Sequence, residues 1–314
     1  MIPCILGIDT SNYTTSLALV DDERTLVHSI KIPLPVKAGE RGLRQSDAIF
    51  AHIKNFPKAF QDLRAYLHEY EIVGVSVSEK PRNQEDSYMP CFLAGYDIGH
   101  AIATVNNIPL YKFSHQCGHI SAGLYGSGKL DLLDQTFGAF HVSGGTTELV
   151  KVRWTDEGYD AEISGGSLDL HAGQAIDRIG VSMELAFPAG PAMDELACRW
   201  KGKFTKRGPK IEDGFVHLSG LENLASKLYA DTRDKSQVAA YVLTYIANGI
   251  ERMVLAFREK HGDLPIVFCG GVMSSRFIRS RLRHLPNVYF TTGNLSSDNA
   301  VGTALNGAIR KFKH

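Results

Sequence analysis

Residues 137–152 read FGAFHVSGGTTELVKV, two runs rich in apolar residues that flank a polar turn with two adjacent glycines. Apolar residues that alternate in short runs, bounded by glycine and serine, predict paired β-strands. A further run at 160–163 leads into another serine–glycine–glycine turn at 164–166. The second half of the chain is therefore predicted to open with a three-stranded meander.

The first half of the chain repeats this arrangement with different residues. From Ile5 to Ile32, apolar residues alternate in three short runs that are interrupted at 11–13 and 21–24, which predicts an antiparallel meander. Apolar spacing then predicts helices at 46–70, at 91–105 and from 114, with strands at 72–77 and 110–113. In the second half it predicts helical segments at 173–200, 221–260 and 274–285, strands at 265–269 and 288–290, and a last helix from 297.

Three strands followed by helix, strand, helix and strand are the element order of a ribonuclease-H-like fold. Because this order occurs twice, we predict an α/β protein of the actin-like ATPase (ASKHA) class, with a nucleotide and metal cleft between its lobes. The length of 314 residues suits two lobes, which we place at 1–133 and 134–314. The last helix is expected to pack back on the first lobe.

Charge and cysteine content exclude several other classes of protein. Thirty-four basic residues balance 34 acidic ones, so the chain lacks the overall charge of an autonomous nucleic-acid binder. The five cysteines are scattered and form no C-x-x-C pair, which argues against a disulfide framework or a thiolate zinc site. The short apolar start has no basic lead-in, and no run is long enough for a membrane span. We expect a cytoplasmic protein without a membrane association.

Three turns have the residues needed to hold a nucleotide. Ser143, Gly144, Gly145 and Thr146 can present backbone and hydroxyl donors to phosphate, although such a turn also suits an ordinary hairpin. At the same point of the first meander stand Asp9 and Ser11, predicted as catalytic residues, because hydroxyls and amides can face phosphate and Asp9 can hold a metal-bound water. A third turn, Gly270-Gly271, follows a buried strand and precedes a helix, which suits a nucleotide packed against backbone.

A pair of histidines indicates a metal site. If Ser114 caps a helix, His115 and His119 lie four residues apart on one face, where two imidazoles can share an ion, although this spacing also arises by chance. Gln116 replaces the glutamate that a zincin protease requires, so peptide hydrolysis is not expected. Asp298, near the start of the last helix, is the candidate third ligand, with helix capping as the alternative.

These stretches, taken in order, resemble the tRNA threonylcarbamoyladenosine synthase family, formerly described as O-sialoglycoprotein endopeptidases. The resemblance covers nearly the whole chain. It lies in His115-x-x-x-His119, VSGGTTELV at 142–150, GQAIDR at 173–178, FPAGPA at 187–192, GGV at 270–272 and SDN at 297–299.

The resemblance implies an actin-like ATPase fold that binds iron or zinc through His115, His119 and Asp298, with Mg²⁺ as a further candidate ion. It also implies that Ser143 to Thr147 face phosphate, that Asp177 and Gly190 contact ribose, and that Gly270 and Gly271 lie against adenine. The implied cofactor is an adenine nucleotide or threonylcarbamoyl-adenylate. The implied acceptor is the exocyclic amine of adenosine in tRNA.

Some positions depart from the family pattern and indicate a divergent paralogue. The family usually has Glu-Thr-Ser-Cys-Asp-Glu-Thr where this chain has residues 9–15, DTSNYTT. A glycine-rich segment is replaced by SEKPRNQEDSYMP at 78–90, and Ser275 stands where the family has asparagine. The departures leave an alternative open: a nucleotide-binding, non-catalytic subunit with a regulatory or scaffolding role. In both readings the expected partner is a related actin-like protein or an ATPase subunit of a modification complex, and the basic loop at 201–210 is a local candidate for tRNA contact.

Overall fold

The computed structural model describes residues 1–11, 13–35, 43–155, 157–202, 204, 208–292, 295 and 300–312. The chain divides into two compact units, each with its own β-sheet. Unit 1 comprises Met1–Tyr125, Trp154–Asp160 and Ser297–His314, and unit 2 comprises Gly126–Arg153 and Ala161–Ser296.

The first part of the chain forms β1 (Ile2–Ser11), β2 (Thr14–Asp21), β3 (Leu26–Pro33), α1 (Gln45–Leu63), β4 (Tyr70–Lys80), α2 (Phe92–Asn106), β5 (Leu110–Ser114) and α3 (His115–Gly126). The next elements are β6 (Phe137–Val142), β7 (Thr147–Thr155), β8 (Gly158–Ser167), α4 (Ala172–Ser182), α5 (Gly190–Arg199), β9 (Ile211–Glu212), β10 (Phe215–Val216), α6 (Gly220–Thr232) and α7 (Lys235–His261). The chain then forms β11 (Ile266–Cys269), α8 (Arg276–Leu282), β12 (Val288–Phe290) and α9 (Ala300–Lys311).

The sheet of unit 1 has the strand order β3-β2-β1-β4-β5. Strands β1 to β3 pair antiparallel, while β4 pairs parallel with both β1 and β5. Consecutive residues of β1 are buried, so the centre of the sheet is covered on both faces. On one of these faces Ile8 lies beside Leu17 in β2 and Val77 in β4. Such continuous apolar strands need helices on both sides.

Helix α9 packs on the first strand although it comes from the end of the chain. A Cβ on Gly7 of β1 would stand 2.3 Å from the carbonyl oxygen of Ala300, and one on Gly302 would stand 1.8 Å from that of Gly118 in α3. Contacts this close exclude any side chain at these glycines. Helix α9 is therefore wedged between β1 and the helix that bears both candidate histidines.

The sheet of unit 2 repeats the same order in its centre. Its strands run β12-β11-β6-β7-β8-β10-β9, so β8-β7-β6-β11-β12 corresponds to β3-β2-β1-β4-β5. The pairing also corresponds, because β6 and β7 are antiparallel while β11 is parallel to β6 and β12. The duplicated ribonuclease-H-like order predicted from the sequence is thus confirmed, and the fold is that of the actin-like ATPase class.

Some local features differ from the sequence-based expectation. The short strands β9 and β10 extend the second sheet and were not expected, since each has only two residues in the ladder. Helix α1 begins after Arg44 without a side-chain cap, so Ser46 is not its N-cap. Ser114 does act as expected at the start of α3, where its hydroxyl accepts a hydrogen bond from the Cys117 amide at 3.3 Å. None of the helices in the described ranges combines the length and apolar character of a bilayer span.

Candidate active site and nucleotide pocket

The turn between β6 and β7 is fixed by its own hydrogen bonds. The Ser143 amide donates to the Thr146 carbonyl at 2.7 Å, and the Ser143 hydroxyl accepts from the amides of Gly145 and Thr146 at 3.3 and 3.1 Å. Gly144 and Gly145 are exposed, and the space where each Cβ would stand is open to 4 Å. The turn therefore presents bare backbone, which an anion can approach closely.

Helix α4 begins directly behind this turn. A Cβ on Gly173 would stand 2.6 Å from the Gly144 nitrogen, and the Gly173 amide donates to the Ser143 carbonyl at 3.1 Å. The Ala172 amide donates to the Thr147 hydroxyl at 2.9 Å. The positive end of the α4 dipole thus lies beside the glycine turn, where it favours a bound anion.

A second glycine turn lies where β11 ends. Gly270 has a φ of 95°, and a Cβ there would stand 2.3 Å from the carbonyl oxygen of Val142 at the end of β6. Both the backbone conformation and the close approach require glycine. The turn that follows, beginning at Gly271, is thereby brought next to the Ser143–Thr146 turn within unit 2.

These two turns border a pocket of about 590 Å³, a volume typical of small-ligand sites. The pocket lies entirely within unit 2. Its lining includes apolar side chains of α4, α7 and the β11–α8 turn, backbone at several glycines, and a few polar groups. The lining residues are Gly144, Gly173, Ile176, Asp177, Pro188, Gly190, Pro191, Asp194, Leu243, Gly271, Val272, Ser274, Ser275 and Arg276. Apolar walls with few polar groups suit a planar base and a sugar.

Asp177 shapes one side of the pocket. Its Oδ1 accepts a hydrogen bond from the Ala189 amide at 2.8 Å, which holds the segment between α4 and α5 against α4. The preceding Phe187–Pro188 peptide bond is cis. The Asp177 carboxylate and Gly190 therefore lie on the same wall of the pocket.

Asp194 joins α5 to the start of α8 at the pocket lining. Its carboxylate accepts from the Ser275 hydroxyl at 2.5 Å, from Arg276 Nε at 3.1 Å and from the Phe277 amide at 3.0 Å. Burial tends to raise the pKa of Asp194, but these hydrogen bonds outweigh it and lower the pKa. The carboxylate thus stays ionised and ties α5 to the first residues of α8.

A buried carboxylate–histidine pair forms the candidate catalytic centre of unit 1. Asp9 is fully buried near the end of β1, and its Oδ1 lies 2.8 Å from Nδ1 of His115, the first residue of α3. The Ser11 amide donates to Asp9 Oδ2 at 3.3 Å. Burial alone would raise the pKa of Asp9, but the charge and the hydrogen bond of His115 hold it below its usual value.

His119 lies one helical turn further along α3. The rings of His115 and His119 are 4.6 Å apart between centroids and meet edge to face at 73°. Because Asp9 holds Nδ1 of His115, the Nε2 atom of that ring remains available as a ligand, which is the usual arrangement of a metal-binding histidine and its carboxylate partner.

The residues predicted from the sequence fall into two groups. Those predicted for the nucleotide lie in unit 2: the pocket lining includes Gly144, Asp177, Gly190, Gly271 and Ser275, while Ser143, Gly145, Thr146 and Gly270 form the adjoining turns. Those predicted for catalysis and metal lie in unit 1: Asp9, Ser11, His115 and His119 are close together. Asp298 lies outside the described residues, as do Lys203 and 205–207 of the basic loop.

The described ranges alone contain no cluster of three or more histidine, cysteine, aspartate or glutamate residues able to hold a metal ion.

Several residues of these sites were not predicted. Asp194 could have been found from its spacing, since it follows Gly190 by four residues and therefore shares one face of α5 with it. His52 could not: it is fully buried, and its Nδ1 lies 2.8 Å from the Thr15 hydroxyl at the start of β2. Burial lowers the pKa of His52 from 6.5 to about 4, so the ring is neutral.

Comparison with solved structures confirms the class of protein. The chain is similar to the phosphate- and nucleotide-bound form of full-length HypF, with a TM-score of 0.60 and 10% identity over 98% of this chain and 56% of HypF. It is also similar to component A of (R)-2-hydroxyglutaryl-CoA dehydratase from Acidaminococcus fermentans, with a TM-score of 0.54 and 12% identity over 96% of both chains. The chain therefore has an ASKHA-type fold.

Sequence comparison identifies the family. The model of the tRNA N6-adenosine threonylcarbamoyltransferase family matches residues 50–305. The tRNA N6-adenosine threonylcarbamoyltransferase of Mycoplasmopsis synoviae (strain 53) is 27% identical over 320 residues, covering 99% of each chain. The chain belongs to the tRNA N6-adenosine threonylcarbamoyltransferase family, and it is an enzyme of the threonylcarbamoyl-transferring type.

Proposed function

We propose that this enzyme transfers the threonylcarbamoyl group from threonylcarbamoyl-adenylate to the exocyclic amine of adenosine in tRNA, with the help of one divalent metal ion. The observation that carries the proposal is the unit 2 pocket, whose lining includes Gly144, Asp177, Gly190, Gly271 and Ser275. A pocket of nucleotide size, bordered by two glycine turns, suits the adenylate part of such a donor.

The reaction is an acyl transfer. The lone pair of the adenosine amine attacks the carbamoyl carbon of the mixed anhydride, forming a C–N bond while the bond from that carbon to the phosphate oxygen breaks. AMP leaves with the bonding electrons, and the amine loses a proton. The main contribution of the protein is to hold the two reactants in a fixed orientation, which removes much of the entropic cost of their encounter.

The residues of unit 2 are proposed to bind the donor. Backbone donors of the Ser143–Thr146 turn and the start of α4 would face its phosphate, since both favour negative charge. Asp177 and Gly190 would contact the ribose. Gly271 and Ser275 would lie against the adenine, with the apolar side chains of Ile176 and Val272 as further walls.

The residues of unit 1 fit a divalent ion. Asp9 holds Nδ1 of His115, and a second imidazole, that of His119, lies on the same helix, so the two rings would supply nitrogen ligands. We propose iron or zinc as the ion and Asp298 as a further ligand; when bound, it would act as a Lewis acid on the donor. Asp298 precedes α9 in the sequence, and Gly302 in the first turn of α9 contacts Gly118, the residue before His119. This contact supports Asp298 as a ligand beside His119.

The proposed setting is the cytoplasm, where tRNA is available. The formal net charge of the chain is +0, so a partner protein is proposed to supply part of the tRNA surface. A related actin-like protein or an ATPase subunit is the proposed partner. The alternative of a non-catalytic subunit is not favoured, because the match to a transferase family extends over residues 50–305.

The purified full chain provides the test. It is incubated with synthetic threonylcarbamoyl-adenylate and a transcript of a tRNA that decodes ANN codons, and the tRNA nucleosides are measured by mass spectrometry. We expect threonylcarbamoyladenosine and AMP in equal amounts. No acyl transfer to this tRNA would contradict the proposed acceptor and revive the non-catalytic alternative.

Two histidine variants test whether the loss of metal binding can be distinguished from a loss of folding. His119→Ala should lose bound metal and transfer activity, while His100→Ala, an exposed histidine on α2, should retain both. Elemental analysis of the two variants measures the metal, and thermal unfolding controls for stability. Full metal occupancy in His119→Ala would show that the ligand set is wrong.

A further inference from the structure

We propose that a basic strip beside the nucleotide pocket, formed by Arg276, Arg199, Lys201 and Lys210, binds the phosphodiester backbone of the acceptor tRNA. The inference rests on the proposed function, since it takes tRNA as the acceptor. It adds to that function a surface that begins at the pocket lining and continues outside the pocket.

The strip begins at the pocket itself. Arg276 is part of the pocket lining, its side chain is 73% exposed, and Nε lies 3.1 Å from the Asp194 carboxylate. Arg199 ends α5, the helix that also bears Asp194, and forms an ion pair with Glu195. Two guanidinium groups are therefore fixed by α5 within one or two helical turns of the pocket wall.

Lys201 continues the strip from these two arginines. Burial and the charge of Asp194 raise the pKa of the Cys198 thiol, whereas the charges of Arg276 and Lys201 act to lower it. Both cations thus lie within electrostatic reach of a single side chain. Basic side chains thus continue from the pocket to the first residues after α5.

The loop that follows is anchored on α7 at both of its described ends. Near its start, Trp200 stacks on Phe204 with ring centroids 4.1 Å apart, and Phe204 meets Tyr241 of α7 at 5.5 Å. Near its end, Arg252 of α7 donates to the Pro209 carbonyl at 2.5 Å.

The two anchors set the length of the strip. Tyr241 and Arg252 are separated by roughly 16 Å along α7 at 1.5 Å per residue. That is about the axial length of four to five nucleotide steps.

The two lysines of the strip are not compensated by a carboxylate of the described residues. Residues 199–210 read RWKGKFTKRGPK, with six basic residues and no acidic one. Lys201 and Lys210 are exposed, and neither has an ion-pair partner among the carboxylates in the described ranges. In a chain with a formal net charge of +0, this concentration of lysines is local. Phosphate backbones bind such surfaces by releasing their counterions.

The position of the strip favours tRNA over other anionic partners. An acceptor amine must reach the donor in the pocket, so a nucleic acid that delivers it has to pass the pocket rim, where Arg276 lies. An anionic membrane would need no such continuity with the pocket. Binding of phosphatidylserine vesicles that depends on Lys201 and Lys210, with no effect of these lysines on tRNA binding, would overturn the proposal.

The test neutralises the two unpaired lysines in the full chain. Lys201→Gln and Lys210→Gln are made alone and together, with Lys227→Gln on α6 as a matched control, since Lys227 is also an exposed lysine of unit 2. Binding of the ANN-decoding tRNA transcript is measured by fluorescence anisotropy across a series of KCl concentrations. Each lysine that contacts a phosphate contributes about one unit to the slope of log Kd against log salt.

For the double variant we expect a roughly tenfold rise in Kd and a salt slope lower by nearly two, with Lys227→Gln unchanged. Adenine nucleotide affinity should stay at the wild-type value in all variants. If wild-type protein binds and modifies tRNA but the double variant has the same Kd and slope, the strip is refuted and the proposed function stands. If wild-type protein neither binds nor modifies tRNA, the proposed acceptor itself is refuted.

Discussion

At the end of β1 the chain places a buried carboxylate, whereas at the corresponding end of β6 it places two exposed glycines. Asp9 is sealed from solvent and held by His115, while Gly144 and Gly145 offer only backbone. The hydroxyl that begins the following strand is also fixed differently: Thr15 contacts the ring of His52, and Thr147 accepts from the first amide of α4. The two equivalent hairpins thus present different groups: one a buried carboxylate, the other exposed backbone.

The difference shows what a duplicated fold preserves and what it leaves free. The order of the five shared strands is the same in both sheets, because it depends on apolar patterning and pleat. The turn residues do not affect that pattern, so one hairpin could acquire ionisable side chains and the other a backbone surface for anions. If this division is correct, substitutions in the two hairpins should affect different measurements.

Asp9→Asn is expected to give the largest difference between the two hairpins, with a loss of metal affinity or activity and no change in nucleotide affinity. The amide keeps the shape of the side chain but removes the negative charge that orients His115, and loss of such a carboxylate partner costs about 10- to 100-fold in metal affinity or activity. Adenine nucleotide affinity, measured by calorimetry, should be unchanged. A variant with wild-type transfer activity would show that the pair at 2.8 Å has no catalytic role.

A pH titration of stability should distinguish the hairpins next. Histidine in the unfolded chain takes up a proton as the pH falls below its usual pKa of 6.5, but burial holds the pKa of His52 at about 4 in the folded protein. Between these two pH values the unfolded state binds more protons than the folded state, so the free energy of unfolding decreases as the pH falls. We expect a loss of about 2 kcal/mol between pH 7 and pH 5 from this group. Urea unfolding at several pH values measures it, and His52→Asn should flatten the slope. An equally steep slope in that variant would assign the loss to other groups.

Gly173→Ala should disturb the unit 2 hairpin. A Cβ at 2.6 Å from the Gly144 nitrogen forces α4 and the glycine turn apart, so nucleotide affinity should fall about tenfold, with a stability loss of about 1–3 kcal/mol. Gly220→Ala is the matched control, since nothing lies within 4 Å of its Cβ position. Calorimetry and thermal unfolding give the two readouts. Unchanged affinity in Gly173→Ala would mean that the turn does not face the ligand.

The smallest effect is expected for Asp194→Asn. An amide accepts fewer hydrogen bonds than the carboxylate, so the β11–α8 turn should be held less firmly and nucleotide affinity should fall about fivefold, close to the loss of one hydrogen bond. The neighbouring Glu195→Gln on the exposed side of α5 serves as the control. Equal nucleotide affinities in the two variants would show that Asp194 does not stabilise the pocket.

The sequence was informative wherever function depends on backbone. Gly144, Gly145, Gly270 and Gly271 stand at strand ends, where adjacent glycines already indicate a close approach of the chain or a ligand. The order of strands and helices along the chain followed from the spacing of apolar residues, because strands and helices impose different periods on it. Such features are local, so a single sequence can reveal them.

Long-range pairs were not accessible in the same way. The contact between Asp9 and His115 joins residues 106 positions apart, and that between Thr15 and His52 joins residues 37 apart. Nothing in the periodicity of α1 distinguishes a histidine that packs under a hydroxyl from one that faces water. Only the tertiary arrangement of β1, β2 and their helices determines these partners.

The packing of α9 on β1 has a consequence for the order in which the protein matures on the ribosome. Gly7 is synthesised long before the helix that covers it, which begins only at Ala300. Unit 2 ends at Ser296, so all its residues are translated before that helix emerges. Strand β1 therefore keeps one apolar face bare until α9 has been translated, so unit 1 closes only after all of unit 2 has been synthesised.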